Sequence, residues 1–155
     1  MAGQIDAKLE ELGLELPQVA TPAGSYVGYV VTGNQIFVSG QIPFWNGELK
    51  YQGKVGPDYS VEEGQEAAKV CALNIIAQVK DALGGDLDRV TRVVKLGGFV
   101  NCPTDFEAHP TVINGASDLM GAVFGEKGRH ARFAMGAGSL PLNVAVEVDA
   151  VVEFA

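Results

Sequence analysis

Val144-Ala145-Val146-Glu147-Val148-Asp149-Ala150-Val151-Val152-Glu153 alternates a row of small aliphatic side chains with a row that carries three acids. A period of two is the signature of a β-strand, whose successive side chains point to opposite faces. Val144, Val146, Val148, Ala150 and Val152 form one face; Ala145, Glu147, Asp149, Val151 and Glu153 form the other. The first face needs an apolar cover. The second is what a sheet presents to water or to a partner.

Two upstream segments have the pattern of a cover. Ser60-Val61-Glu62-Glu63 reads as a capping box, with an acid three residues after the N-cap serine. The helix it opens runs to about Leu83, places Gly64, Ala68, Cys71, Ile75, Val79 and Ala82 on one face, and stops at Gly84-Gly85. A second helix, about Thr111 to Phe124, aligns Val112, Ala116, Leu119, Met120 and Val123 in one stripe. Val90 to Val100 reads as a long strand, and His130 to Gly136 as a shorter one joined to the last strand through Ser139-Leu140-Pro141-Leu142-Asn143. Val27 to Val31 and Gln35 to Ser39 flank a hairpin turn at Thr32-Gly33-Asn34. Residues 43 to 59, rich in Gly, Pro and aromatics, are expected to form a loop with one edge strand near Tyr51.

Ile5 to Leu14 has helical spacing and opens an N-terminal helical extension over residues 1–16, followed by an extended stretch that Pro17 and Pro22 hold. The expected fold is therefore α+β: a two-layer sandwich of one mixed sheet with two main helices on one face. Residues 1–155 read as a single domain without internal repeats. Two helices leave the other sheet face bare, which favours covering it with another copy of the chain.

Composition narrows the function classes. Of the 155 residues, 47% are apolar and 19% charged, which excludes a disordered chain. No apolar run approaches the ~18 residues of a spanning helix, so no membrane partner is expected. Met1 to Glu10 carries acids and no apolar core of a signal peptide, which points to the cytoplasm. A net charge of −8 disfavours nucleic acid, with Lys127-Gly128-Arg129-His130-Ala131-Arg132 as a local exception. Cys71, in a helix, and Cys102, in a loop, read as reduced thiols. With His109 and His130 they do not make a four-ligand set, so no metal is expected.

Two stretches carry a resemblance. Tyr26-Val27-Gly28 through Gly33-Asn34-Gln35-Ile36-Phe37-Val38-Ser39-Gly40-Gln41-Ile42-Pro43 is one; Ala131-Arg132, Ser139-Leu140-Pro141 and Val146-Glu147-Val148-Asp149-Ala150 make the other. Together, in order and register, they resemble the reactive-intermediate deaminase (RidA, or YjgF-like) family. The resemblance implies a chorismate-mutase-like fold, a homotrimer with a ligand cleft at each subunit interface, and hydrolysis of 2-imino or enamino acids to 2-keto acids and ammonia. It implies no cofactor, because the imine is already an activated electrophile.

Carried over to this chain, the family pattern implies that Arg132 anchors the substrate carboxylate, a task for which a planar guanidinium with parallel donors suits better than lysine. It implies that Glu147 positions water and acts as general base. Tyr26, Ser39 and Asn114 match residues that line or border the family's site. Phe133 stands where the pattern has a small serine and Ala134 where it has a cysteine. Phe133 either faces the helix layer or narrows the pocket, and Ala134 can still act through its carbonyl. In a simple hairpin register Arg132 and Glu147 do not face each other, so their convergence on one ligand rests on the resemblance alone. The alternatives are a non-catalytic binder of small carboxylates, a structural adaptor, and the endoribonuclease or translation inhibitor that gives the family its other label.

Overall fold

The structure, a computed structural model, describes residues 3–155; Met1 and Ala2, with which the extension expected over residues 1–16 begins, lie outside them. The alternating C-terminal segment forms β7 (Val146–Phe154), and it occupies the centre of the main sheet. Its aliphatic row is sealed: Val146 and Val148 are 0% exposed, Val152 2% and Ala150 3%. β2 (Gln35–Gln41) pairs antiparallel on one side of it and β5 (Val90–Asn101) antiparallel on the other. β1 (Tyr29–Thr32) lies outside β2, and β6 (Ala131–Ala137) runs parallel to β5 at the opposite edge. Among the described residues this makes one mixed sheet of five strands in the order β1-β2-β7-β5-β6.

The helices lie on one face, as expected. α2 (Val61–Ala82) begins with the capping box: Glu63 N donates to Ser60 Oγ at 3.1 Å and Ser60 N to Glu63 Oε1 at 3.0 Å. α3 (His109–Phe124) starts two residues earlier than its apolar stripe indicated, because Pro110 fits the first turn, where no amide hydrogen bond is lost. α2 and α3 approach closely at Gly115, where a Cβ would overlap the backbone carbonyl of Gln65. α1 (Gln4–Glu11) is the extension. Asp88, distant in sequence, caps it by accepting from Gln4 N and Ile5 N, each at 2.9 Å. Those two N–H groups hold the Asp88 carboxyl below the usual aspartate range. Asp6 pairs with Lys80 at 3.0 Å, and Leu9 buries into the core.

Three expectations are corrected. β6 and β7 do not form a hairpin, because β5 lies between them. β5, α3 and β6 make a parallel crossover, and the chain then passes over the end of β5 to enter the sheet centre. Asn101, 0% exposed, holds that passage: its Nδ2 donates to Val144 O at 3.0 Å and its N to Ala145 O at 2.8 Å. Second, the strand expected near Tyr51 lies earlier, as a ribbon of β3 (Phe44–Trp45) and β4 (Glu48–Leu49). Its turn is Asn46-Gly47, with φ of 52° and 84°, the left-handed pair that tight hairpins favour. Third, Cys102 follows β5 in a loop but is buried, with Sγ 3.5 Å from His109 Nε2.

The two α3 glycines separate packing from propensity. A Cβ added at Gly121 would have nothing within 4 Å, whereas one at Gly115 would meet backbone. Gly121→Ala is expected to raise stability by up to ~1 kcal/mol through helix propensity. Gly115→Ala is expected to lower it by about 1–3 kcal/mol through overpacking. Paired denaturant melts check both signs.

Candidate active site

The extra residue in β2 shapes one half of the site. Val38 pairs with Ala150 and Gln41 with Val148, so β2 takes three steps where β7 takes two. Such a bulge bends the strand and re-aims its neighbours. Gly40 lies in the bulge, and Glu147 reaches over it: a Cβ at Gly40 would overlap Glu147 Oε2. A cleft of about 380 Å³ opens here, lined by Tyr26, Gly28, Gly40, Gln78, Leu142 and Glu147 among others. Burial pushes the Glu147 carboxyl up, and the Asp149 carboxylate adds to the rise. Tyr26 stands at the cleft and is 57% exposed. Ser39 stands behind the wall, where its hydroxyl donates to Val27 O at 2.6 Å and clamps the segment that carries Tyr26.

Arg132 forms a second half elsewhere. Its Nη1 donates to Asn114 Oδ1 at 2.8 Å and to Ser117 Oγ at 3.1 Å. Ser117 Oγ also lies 2.9 Å from His130 Nε2, while His130 Nδ1 lies 2.6 Å from Gly128 O. A carbonyl only accepts, so Nδ1 carries a proton and the ring is held between Gly128 O and the Ser117 hydroxyl. The guanidinium is thus oriented by neutral groups. Among the described residues no carboxylate lies within salt-bridge distance of it.

Asn114 and Arg132, both expected in the site, are brought together; Ser117 and His130 are additions. Their signal was spacing: Asn114 and Ser117 are three apart on one helix, and His130 lies just before β6, two residues from Arg132.

The two halves do not meet within one chain. Arg132 pairs with Leu96, which faces the helices at 0% exposure, and Glu147 pairs with Phe99, which is 37% exposed. Leu96 and Phe99 are three apart on β5, so their partners lie on opposite faces of the sheet. Phe133 faces the open side of the sheet, not the helix layer. Its ring packs edge-on to Phe99 at 5.2 Å, sits beneath the Lys95 ammonium at 5.6 Å, and occupies the space a Gly97 side chain would need. Ala134 is partly buried against the core, away from the Glu147 cleft. The open face also exposes Val30, Phe37 and Met135, at 52%, 44% and 53%.

Known proteins share this architecture. Residues 6–154 match the family described as "YjgF/chorismate mutase-like, putative endoribonuclease". The chain is 51% identical over 153 residues to "Protein TCP17" of Trypanosoma cruzi, covering 98% of this chain and 95% of that protein. A crystal structure from Agrobacterium tumefaciens, described as of unknown function, is 50% identical over 97% of this chain and 92% of that one, with a TM-score of 0.91. A crystal structure from Shewanella oneidensis, described as a "putative endoribonuclease", is 40% identical over 98% of this chain and 100% of that one, with a TM-score of 0.94. The chain belongs to the YjgF/chorismate mutase-like family.

Proposed function

We propose that this chain hydrolyses 2-imino and enamino acids to 2-keto acids and ammonia, in clefts completed between copies of the chain, three copies in the family arrangement. The observation that carries the reading is Arg132: a guanidinium aimed by neutral acceptors and left without a carboxylate of its own. An anion with two parallel oxygens satisfies it, and a substrate carboxylate is such an anion. Arg132 of one copy then meets the Glu147 cleft of the next, since one chain holds them on opposite sheet faces.

The chemistry is a water addition followed by a C–N cleavage. Arg132 fixes the carboxylate, and Tyr26 borders the reacting carbon. Glu147 takes a proton from water as the oxygen attacks the C=N carbon, and the nitrogen gains a proton. The carbinolamine then collapses, the hydroxyl becoming the ketone as ammonia leaves. A glutamate whose pKa is raised by burial is suited to this exchange, because its two protonation states lie closer in energy at neutral pH. The reaction needs no cofactor. A cytoplasmic site, where such intermediates are released, fits the reading.

Ribonuclease action has weaker support. His130 is committed to Ser117 and Gly128, and His109 to Cys102, which leaves no free histidine pair for acid–base work on a phosphodiester.

Turnover of 2-iminobutyrate, generated from 2-aminobutyrate by an amino-acid oxidase and followed as 2-oxobutyrate, tests the reaction. Wild type is expected to exceed the spontaneous rate, with kcat/KM falling about 10²-fold or more in Arg132→Ala. Arg132→Lys, a point charge without the fork, is expected to recover little of the loss. A folded oligomer inactive on several imino acids overturns hydrolysis in favour of carboxylate binding.

Complementation tests the shared site. Arg132→Ala and Glu147→Gln chains, each inactive alone, are expected to regain about a quarter of wild-type activity when mixed equally and reassembled, because random rings contain intact junctions at that frequency. No recovery in verified mixed oligomers places both residues' action within one chain.

The pH profile tests the base. Glu147 works deprotonated, so kcat/KM rises with pH through its pKa, expected above the ordinary glutamate value of about 4.3. Asp149 adds to that elevation, so Asp149→Asn is expected to move the acid limb to lower pH. A limb that stays in place shows that another group titrates.

A further inference from the structure

Glu147 stands on the open face of the sheet, whereas Gln78 rises from α2 in the helix layer, yet both line the same cleft. The cleft therefore passes inward beside the β2 bulge and reaches the helix layer. Gln78 is a polar residue in a helix face otherwise built from Cys71, Ile75 and Val79, and it is 1% exposed. A buried amide at such a place costs stability unless its donors and acceptors are satisfied.

Only one end of it is satisfied. Nε2 donates to Ala20 O at 3.2 Å, on the segment that walls the cleft. That contact orients the amide, since a carbonyl accepts only from the nitrogen end. Oε1 then faces Gly28, where a Cβ would meet it at 2.6 Å. Among the described residues no side chain or backbone N–H hydrogen-bonds Oε1, and the oxygen is not sealed from the cleft that Gln78 lines. The glycine keeps the oxygen uncovered at the inner end of an otherwise largely apolar cleft.

Resting on the proposed hydrolysis, we propose that Gln78 is a specificity residue: its Oε1 accepts a hydrogen bond from the substrate's side chain, so the chain selects imino acids bearing a hydroxyl or similar donor over purely aliphatic ones. With the carboxylate on Arg132 of one copy and the C=N carbon at Glu147 of the next, the side chain is the part left to extend inward. Because Oε1 opens into the cleft, a ligand that fills the cleft without a donor displaces water from that acceptor and leaves it unpaired, which penalises it against one that carries the donor.

The test compares two imines that differ by one hydroxyl, generated by an amino-acid oxidase from homoserine and from 2-aminobutyrate, on wild type, Gln78→Met and Gln78→Leu. Wild type is expected to favour the hydroxylated imine by about tenfold or more in kcat/KM. Gln78→Met is expected to erase that ratio, with KM rising much further for the hydroxylated substrate than for the aliphatic one. Wild type without the preference overturns the proposal whatever the variants do. An equal fall on both substrates in folded variants also overturns it, and leaves Gln78 as a prop for the Ala20 segment.

Titration with the corresponding keto acids, 4-hydroxy-2-oxobutyrate and 2-oxobutyrate, separates this inference from the hydrolytic reading. If wild type turns over neither imine yet binds the hydroxylated keto acid more tightly, and Gln78→Met abolishes the difference, hydrolysis fails and the specificity assignment stands. Equal binding of the two, or binding of neither, overturns the assignment.

Discussion

Everything in this molecule depends on β7 being paired on both sides. A strand flanked by β2 and β5 has no free backbone edge, so its position is set by hydrogen bonds along its length. Its register then has one consequence on each face. A slip of one residue would turn Val146, Val148, Ala150 and Val152 out of the core and bury Glu147 and Asp149. The aliphatic row therefore does more than fill the core: it fixes which way Glu147 points. A carboxylate on the central strand of a packed sheet moves little, as the proposed water-positioning role needs.

Arg132 is held by a different principle. It sits on the edge strand β6, where backbone pairing comes from one side only. Side chains supply the missing rigidity. Asn114 and Ser117 accept from the guanidinium, and His130, tied to the Gly128 carbonyl, hydrogen-bonds Ser117. Both side chains that accept from the guanidinium are neutral. A carboxylate in any of these places would orient the arginine equally well and cancel the charge that attracts an anion. Rigid aim with retained charge is what the proposed carboxylate anchor requires.

Much of the fold was legible because its signals are local. The period of two in Val144–Glu153, the Ser60–Glu63 box and the Gly84-Gly85 stop each act over a few residues, and each folds as its chemistry dictates. The hairpin expected between the last two strands failed for the complementary reason. Adjacency in sequence favours pairing, but nothing near Ser139–Asn143 records that β5 has already taken the place beside β7. The decisive contact is Asn101, more than 40 residues away, gripping Val144. The site was partly legible in the same sense. Arg132, Glu147, Tyr26 and Asn114 came from motif resemblance, while Ser117, His130 and Gln78 were missed. A serine, a histidine and a glutamine among helical or strand residues carry no signal until the fold puts a partner beside them. Phe133 went to the open face because the parallel register with β5 leaves Gly97 beneath it, and a ring fills that space.

The two half sites also explain one another energetically. Glu147 is half-buried with a second acid nearby, and among the described residues no cation pairs with it, so its charged form is disfavoured. Arg132 retains an unneutralised charge on the opposite face. In the proposed assembly, a contact between copies covers Phe37, Phe99 and Met135 and brings Arg132 to the Glu147 cleft with room for a substrate carboxylate between them. The apolar surface alone drives association without choosing an orientation, because burial is non-directional. The unpaired charges choose it. Association that satisfied the apolar face while leaving Glu147 against Asp149 and Glu153 of another copy would gather like charges at low dielectric and be rejected. In the proposed assembly, the groups that would act on the substrate are also the ones that select how the copies fit.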